Sequence, residues 1–190
     1  LSEAFRKMAE GEVLQLYYNG NPQITESEYL RIVEYKTAGL IAAACRIGAI
    51  ISGAPADKQA ALFRFGQYLG TAFQLVDDTL DYAADGDRLG KSLGQDLRQG
   101  KVTLPLLHLL QHCPEQDRKM ITDRMETRTL TEADLLRITT LMQESGSISY
   151  AMARAREFVA AANTDLALFE DSPPKRALSV VADYMVNRDR

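Results

Sequence analysis

Tryptophan is absent from these 190 residues, and cysteine occurs only twice. Cys45 and Cys113 stand far apart without metal-type spacing, which argues against a disulfide framework or a zinc knuckle and fits reduced thiols in a cytosolic protein. Basic charge is short as well. The 22 Lys and Arg against 26 Asp and Glu leave a net charge of -4, which argues against a general nucleic-acid binder, whose surface must displace phosphate counterions. No apolar run approaches the roughly 18 residues of a membrane span. Strand-type alternation is missing, and the 12 glycines and 6 prolines sit at joints. With 46% hydrophobic and 25% charged residues the chain can bury one core, so a single all-α domain is expected.

The joints divide the chain into helices. A first helix covers about Ser2 to Leu16 and stops at Asn19-Gly20-Asn21-Pro22. Thr25-Glu26-Ser27-Glu28 has the form of a capping box and starts a long helix to about Ser52, with Lys36 and Thr37 near its middle. Pro55 and Asp57 open a helix to about Ala84. Pro105, Thr131-Glu132-Ala133-Asp134 and Ser172-Pro173 mark later starts, and Gly146 separates two C-terminal helices.

The helix after Pro55 carries Phe73-Gln74-Leu75-Val76-Asp77-Asp78-Thr79-Leu80-Asp81, three carboxylates within an apolar stretch. At about 100° per residue, Leu62, Phe65, Leu69, Phe73, Val76 and Leu80 form a stripe about 80° wide, and Gln74, Asp77, Asp78 and Asp81 share the adjoining face. Like charges on neighbouring turns repel, so such a face meets cations. Hard oxygen ligands suit Mg²⁺ or Ca²⁺, and Mg²⁺ characteristically takes one or two carboxylates together with substrate phosphates. A solvated acidic face is an equally common use of a bare DDxxD.

Downstream, the glycine-punctuated run from Gly90 to Lys101 places Lys91 and Lys101 where a loop folding over the acidic helix brings them to phosphates. Upstream, Lys36-Thr37 offers a cation beside a hydroxyl. His108 and His112 have i,i+4 spacing, but no acid or cysteine joins them at ligand spacing, so no metal is expected there. Tyr17-Tyr18 reads as core or interface filler, and Glu10 and Glu12 read equally as a solvent-exposed pair.

Taken together in this order, Ala9-Glu10-Gly11-Glu12-Val13-Leu14-Gln15-Leu16, Tyr35-Lys36-Thr37-Ala38, Tyr68 through Tyr82, Gly100-Lys101-Val102-Thr103-Leu104-Pro105-Leu106-Leu107 and the closing Arg188-Asp189-Arg190 carry a resemblance to the trans (head-to-tail) polyprenyl diphosphate synthases. The resemblance covers nearly the whole chain. It implies an isoprenoid-synthase-type helical bundle and a family pattern of two aspartate-rich motifs on facing helices. One DDxxD is present, so residues 1–190 are expected to be the C-terminal part of a single synthase domain whose N-terminal helices are missing from this chain, and which alone is inactive.

The resemblance also implies the chemistry: an Mg²⁺-dependent condensation of isopentenyl diphosphate with an allylic diphosphate, by a homodimeric cytoplasmic enzyme that meets the membrane surface when it releases product. Asp77, with Asp78 and Asp81, would hold metal on the allylic diphosphate, and Lys36, Lys91 and Lys101 would bind its phosphates. Thr37 and Gln74 would present oxygen dipoles to the developing cation, helped by a helix distortion at Lys36-Thr37, and Asp96 would orient a lysine or a metal-bound water. The matching blocks resemble long-chain synthases of quinone side chains, so a product of about C40 is expected, in an apolar tunnel with Leu40 or Ile41 on one wall. A shorter-chain synthase, a class I terpene cyclase and a noncatalytic partner subunit are the alternatives.

Overall fold

The structure is a computed structural model, and it describes residues 1–83 and 94–187. The chain runs through α1 (Ser2–Tyr18), α2 (Glu26–Val33), a π-helical turn (Glu34–Ala38), α3 (Gly39–Ile51), α4 (Ala56–Ala83), α5 (Gln95–Arg98), α6 (Leu104–His112), α7 (Glu115–Thr127), α8 (Glu132–Glu144), α9 (Ser147–Leu166) and α10 (Pro173–Asn187). No strand occurs among the described residues.

Local chemistry sets the starts. Thr25 accepts from the Glu28 amide at 3.2 Å while Glu28 accepts from the Thr25 amide at 2.8 Å, and Thr131 and Asp134 repeat the exchange at 3.2 and 2.9 Å. Each box satisfies amide donors that the first turn of a helix leaves without partners. Two helices differ from expectation. α7, which has no counterpart among the expected helix starts, follows Pro114 with Glu115 and Asp117 in its first turn, and Gln95–Arg98 forms one helical turn inside the glycine-punctuated run.

The long helix expected from Thr25 to Ser52 is interrupted, as the resemblance implied, at Lys36 and Thr37. The π turn Glu34–Ala38 lets the Gly39 amide reach the Glu34 carbonyl, which inserts one residue into the ladder. Two glycines wedge this wide turn between neighbours. A Cβ on Gly70 of α4 would lie 2.6 Å from Ala38 Cα, and one on Gly11 of α1 would lie 2.6 Å from the Lys36 backbone nitrogen. Only glycine permits backbones to approach so closely. Ile41 packs over Gly70 as well, with Cδ1 3.2 Å from the same Cβ position.

α4 is the axle, packed against α3 and the π turn on one side and α9 on the other. α9 meets it through the buried stripe Ala151, Ala155, Val159, Ala162 and Leu166, and Arg64 of α4 donates to Asp165 at 2.9 Å. Phe65, Leu75 and Val76 are fully buried, each such side chain contributing about 1.5–3 kcal/mol by leaving water. Because neighbours surround α4, burial runs well past the expected stripe. Leu75, Thr79, Tyr82 and even Asp78 are buried, whereas Asp77 is exposed and Asp81 half-buried. Thr79 satisfies its hydroxyl on the Leu75 carbonyl at 2.6 Å, and Tyr82 meets Thr103 Oγ1 at 3.0 Å.

Candidate functional site

A cavity of about 240 Å³ opens between α1, α2, the π turn, α4 and the segment from Asp96 to Thr103. Lys36, Gln74, Asp77, Asp78, Asp96 and Lys101, all expected site residues, line it. Lys36 reaches it from the π turn, where its Nζ donates to Gln15 Oε1 and lies 3.3 Å from Glu12 Oε1. Glu12 thus faces a site cation, while Glu10 pairs with Arg6.

Asp78 is the buried anchor of the acidic wall. Its Oδ2 accepts from the Tyr29 hydroxyl at 2.6 Å and its Oδ1 from Gln74 Nε2 at 2.7 Å. Gln74 in turn accepts the Thr37 hydroxyl at 2.9 Å. Burial pushes the Asp78 carboxyl up to about 7 against the pull of those two hydrogen bonds, and the nearby Asp96 and Asp77 carboxylates push the same way. Tyr29 is held well above the ordinary phenol range, first by its burial and then by the Asp78 charge.

Asp81 turns away to the loop. Its Oδ2 accepts the Asp96 amide at 2.9 Å and its carbonyl accepts the Gly94 amide at 3.0 Å, which ties the start of α5 to the end of α4. Burial raises the Asp81 carboxyl above the usual carboxylate range. Asp96 accepts Lys101 Nζ at 2.6 Å. The Gly20 amide donates to the Gly100 carbonyl at 2.7 Å and holds the far end of the segment against the α1–α2 connection. Lys91 lies outside the described residues, as do Asp85, Asp87 and the closing Arg188-Asp189-Arg190.

Several polar residues of the cavity lining escaped sequence reasoning, among them Gln15, Tyr18 and Tyr29. Gln15 and Tyr18 come from α1 and Tyr29 from α2. For Tyr29 a signal existed, because it shares a helix face with Ile32 and Val33, and a tyrosine on a core face needs a polar partner for its hydroxyl. Tyr18 lines the cavity and donates to Glu28 at 2.9 Å, whereas Tyr17 is exposed. Elsewhere, the His108 and His112 rings stack at 4.1 Å, with His108 Nδ1 3.0 Å from Ser147 Oγ and His112 Nδ1 2.8 Å from the His108 carbonyl. Cys45 and Cys113 are free thiols. No described helix is long and apolar enough to cross a membrane.

Hard oxygen donors beside two lysines fit Mg²⁺ with a diphosphate. Among the described residues no three His, Cys, Asp or Glu side chains close into a ready cage.

The architecture and pocket define an all-helical bundle of the isoprenoid-synthase type, and known proteins agree. A family model described as polyprenyl synthetase matches residues 1–142, and the chain belongs to that family. It is 42% identical to octaprenyl diphosphate synthase of Escherichia coli (strain K12), across all of this chain and 58% of that one. The solved decaprenyl diphosphate synthase from Rhodobacter capsulatus is 38% identical with a TM-score of 0.93, covering 100% of this chain and 58% of its own. Polyprenyl synthase from Caulobacter crescentus CB15, complexed with calcium and isoprenyl diphosphate, is 38% identical with a TM-score of 0.94 and the same coverage. The chain therefore spans about 58% of the length of these relatives.

Proposed function

We propose that this chain is the C-terminal part of a single-domain trans-prenyltransferase that extends an allylic diphosphate with isopentenyl diphosphate. The observation that carries the reading is one cavity lined by Lys36 and Lys101, by Asp77, Asp78 and Asp96, and by Gln74 bonded to Thr37 on a π turn. Ionising an allylic diphosphate separates a carbocation from pyrophosphate, so the site must neutralise one centre and shelter the other. Lys36 and Lys101, with Lys91, bind the phosphates. Exposed Asp77, with Asp78 and Asp81, would hold an Mg²⁺ ion, and that ion would neutralise charge on the leaving group. Thr37 and Gln74 turn oxygen dipoles to the developing cation, and Asp96 orients Lys101.

The octaprenyl and decaprenyl names of two relatives favour a long product, and a tunnel walled by apolar side chains would accommodate about C40 for a quinone side chain. A homodimer working in the cytoplasm completes the reading. The full-length protein, incubated with Mg²⁺, farnesyl diphosphate and isopentenyl diphosphate, should yield that product on chromatography, and Asp77→Ala should lower turnover by roughly 10²–10³-fold. Products ending at C15 or C20 would refute the long chain alone. Absence of any condensation by the full-length protein would refute the enzyme.

A further inference from the structure

Tyr29 stands on the buried face of α2, 49 residues before Asp78, and donates its hydroxyl to Asp78 Oδ2 at 2.6 Å. The second oxygen, Oδ1, is taken by Gln74 Nε2 at 2.7 Å. When Asp78 is ionised its carboxylate only accepts, which permits a single orientation of the neighbouring amide, with NH₂ toward Asp78 and the carbonyl oxygen toward the π turn. That carbonyl accepts the Thr37 hydroxyl at 2.9 Å. Thr37 has one proton to give, and it is committed. Anything else that meets this hydroxyl meets its lone pairs.

We propose that Tyr29 is a positioning residue for Thr37, anchoring a relay through Asp78 and Gln74 that fixes the Thr37 oxygen as an acceptor-only dipole. The inference rests on the reading of Thr37 as a group that faces the developing allylic cation. The direction of the chain is what matters chemically. Were Gln74 reversed, its NH₂ would donate to Thr37, whose proton would then be free to swing toward a carbocation that it repels. The ionised Asp78 carboxylate prevents that reversal, and the hydroxyl of Tyr29 on α2, the helix that leads into the π turn, holds that carboxylate in place. Tyr29 therefore orients the dipole from the far side of the carboxylate, without touching substrate.

The test is a double-mutant cycle of Tyr29→Phe and Thr37→Val in the full-length protein. With farnesyl diphosphate and isopentenyl diphosphate, Tyr29→Phe should lower kcat about tenfold and leave KM for farnesyl diphosphate within about twofold, since the relay acts on the developing charge. In the Thr37→Val background the same change should cost less than about twofold. An unchanged kcat in Tyr29→Phe, or effects that simply multiply, would overturn the proposal. The same cycle run on thermal unfolding reads the coupling without turnover, and additive shifts in melting temperature would overturn it too. An inactive parent enzyme would instead reject the functional reading, leaving the relay to be judged by that thermal cycle. If Tyr29→Phe fails to fold, Gln74→Met breaks the relay one step nearer to Thr37, and it should be non-additive with Thr37→Val in the same way.

Discussion

Replacing Gly70 by alanine adds one methyl group at the point where α4 touches the π turn. That methyl would sit 2.6 Å from Ala38 Cα and 3.1 Å from its Cβ, with Ile41 Cδ1 at 3.2 Å. The nearest obstacle is backbone, which has no rotamer to change, so the helices must separate by about 1 Å or bend. Overpacking of this kind costs about 1–3 kcal/mol, and alanine's better helix propensity recovers at most about 1 kcal/mol of it. For a protein of this size each kcal/mol moves the melting temperature by about 2–4 °C, so Gly70→Ala should melt several degrees lower in a circular-dichroism scan. The damage should reach the site, because Gln74 lies one turn along α4 and bonds Thr37 across that contact at 2.9 Å. A variant that melts at or above the parent temperature with full turnover would show that the close approach does not set the π turn.

Further outcomes follow from other positions. Gly48→Ala, in α3 where a Cβ meets nothing within 4 Å, should raise stability by about 0.5–1 kcal/mol, and a lower melting temperature would contradict the open surface read there. Thr131→Ala removes the capping-box acceptor of α8 and should cost about 1 kcal/mol in denaturant unfolding, a loss that Thr131→Ser should largely avoid. Asp78 gives a pH signature in the metal-free protein. Its folded carboxyl is raised to about 7 from 3.8, so the folded state binds the extra proton between those values, and the group's contribution to stability falls as pH rises from about 4 to about 7. Asp78→Asn should flatten that part of the stability–pH curve, and an unchanged slope would assign it to other groups.

Much of the architecture is legible in local chemistry. Thr25 and Glu28, Thr131 and Asp134, Pro105 and Gly146 announce helix boundaries because capping and proline geometry depend on residues a few positions apart. Pro114 and the acidic first turn of α7 carry the same kind of signal. The DDxxD run with its flanking lysines carries the expectation of a metal-bound diphosphate, since charge pattern and metal preference are properties of residue types. Family likeness supplied the expectation of a distortion at Lys36-Thr37, which helix periodicity cannot reveal.

Sequence alone thus determined the all-helical class, the helix starts and the identity of the acidic and basic residues that gather at one cavity. Only tertiary structure decided how three aspartates on adjoining turns divide. Asp77 is left exposed, Asp78 is buried under Tyr29, and Asp81 is drawn to the Asp96 amide. Helical periodicity places all three on one face, but their surroundings come from α2 and the segment after Gly94, which are distant in sequence. Burial, and with it which aspartate oxygens are already bonded, is a property of what packs against a helix and not of the helix itself.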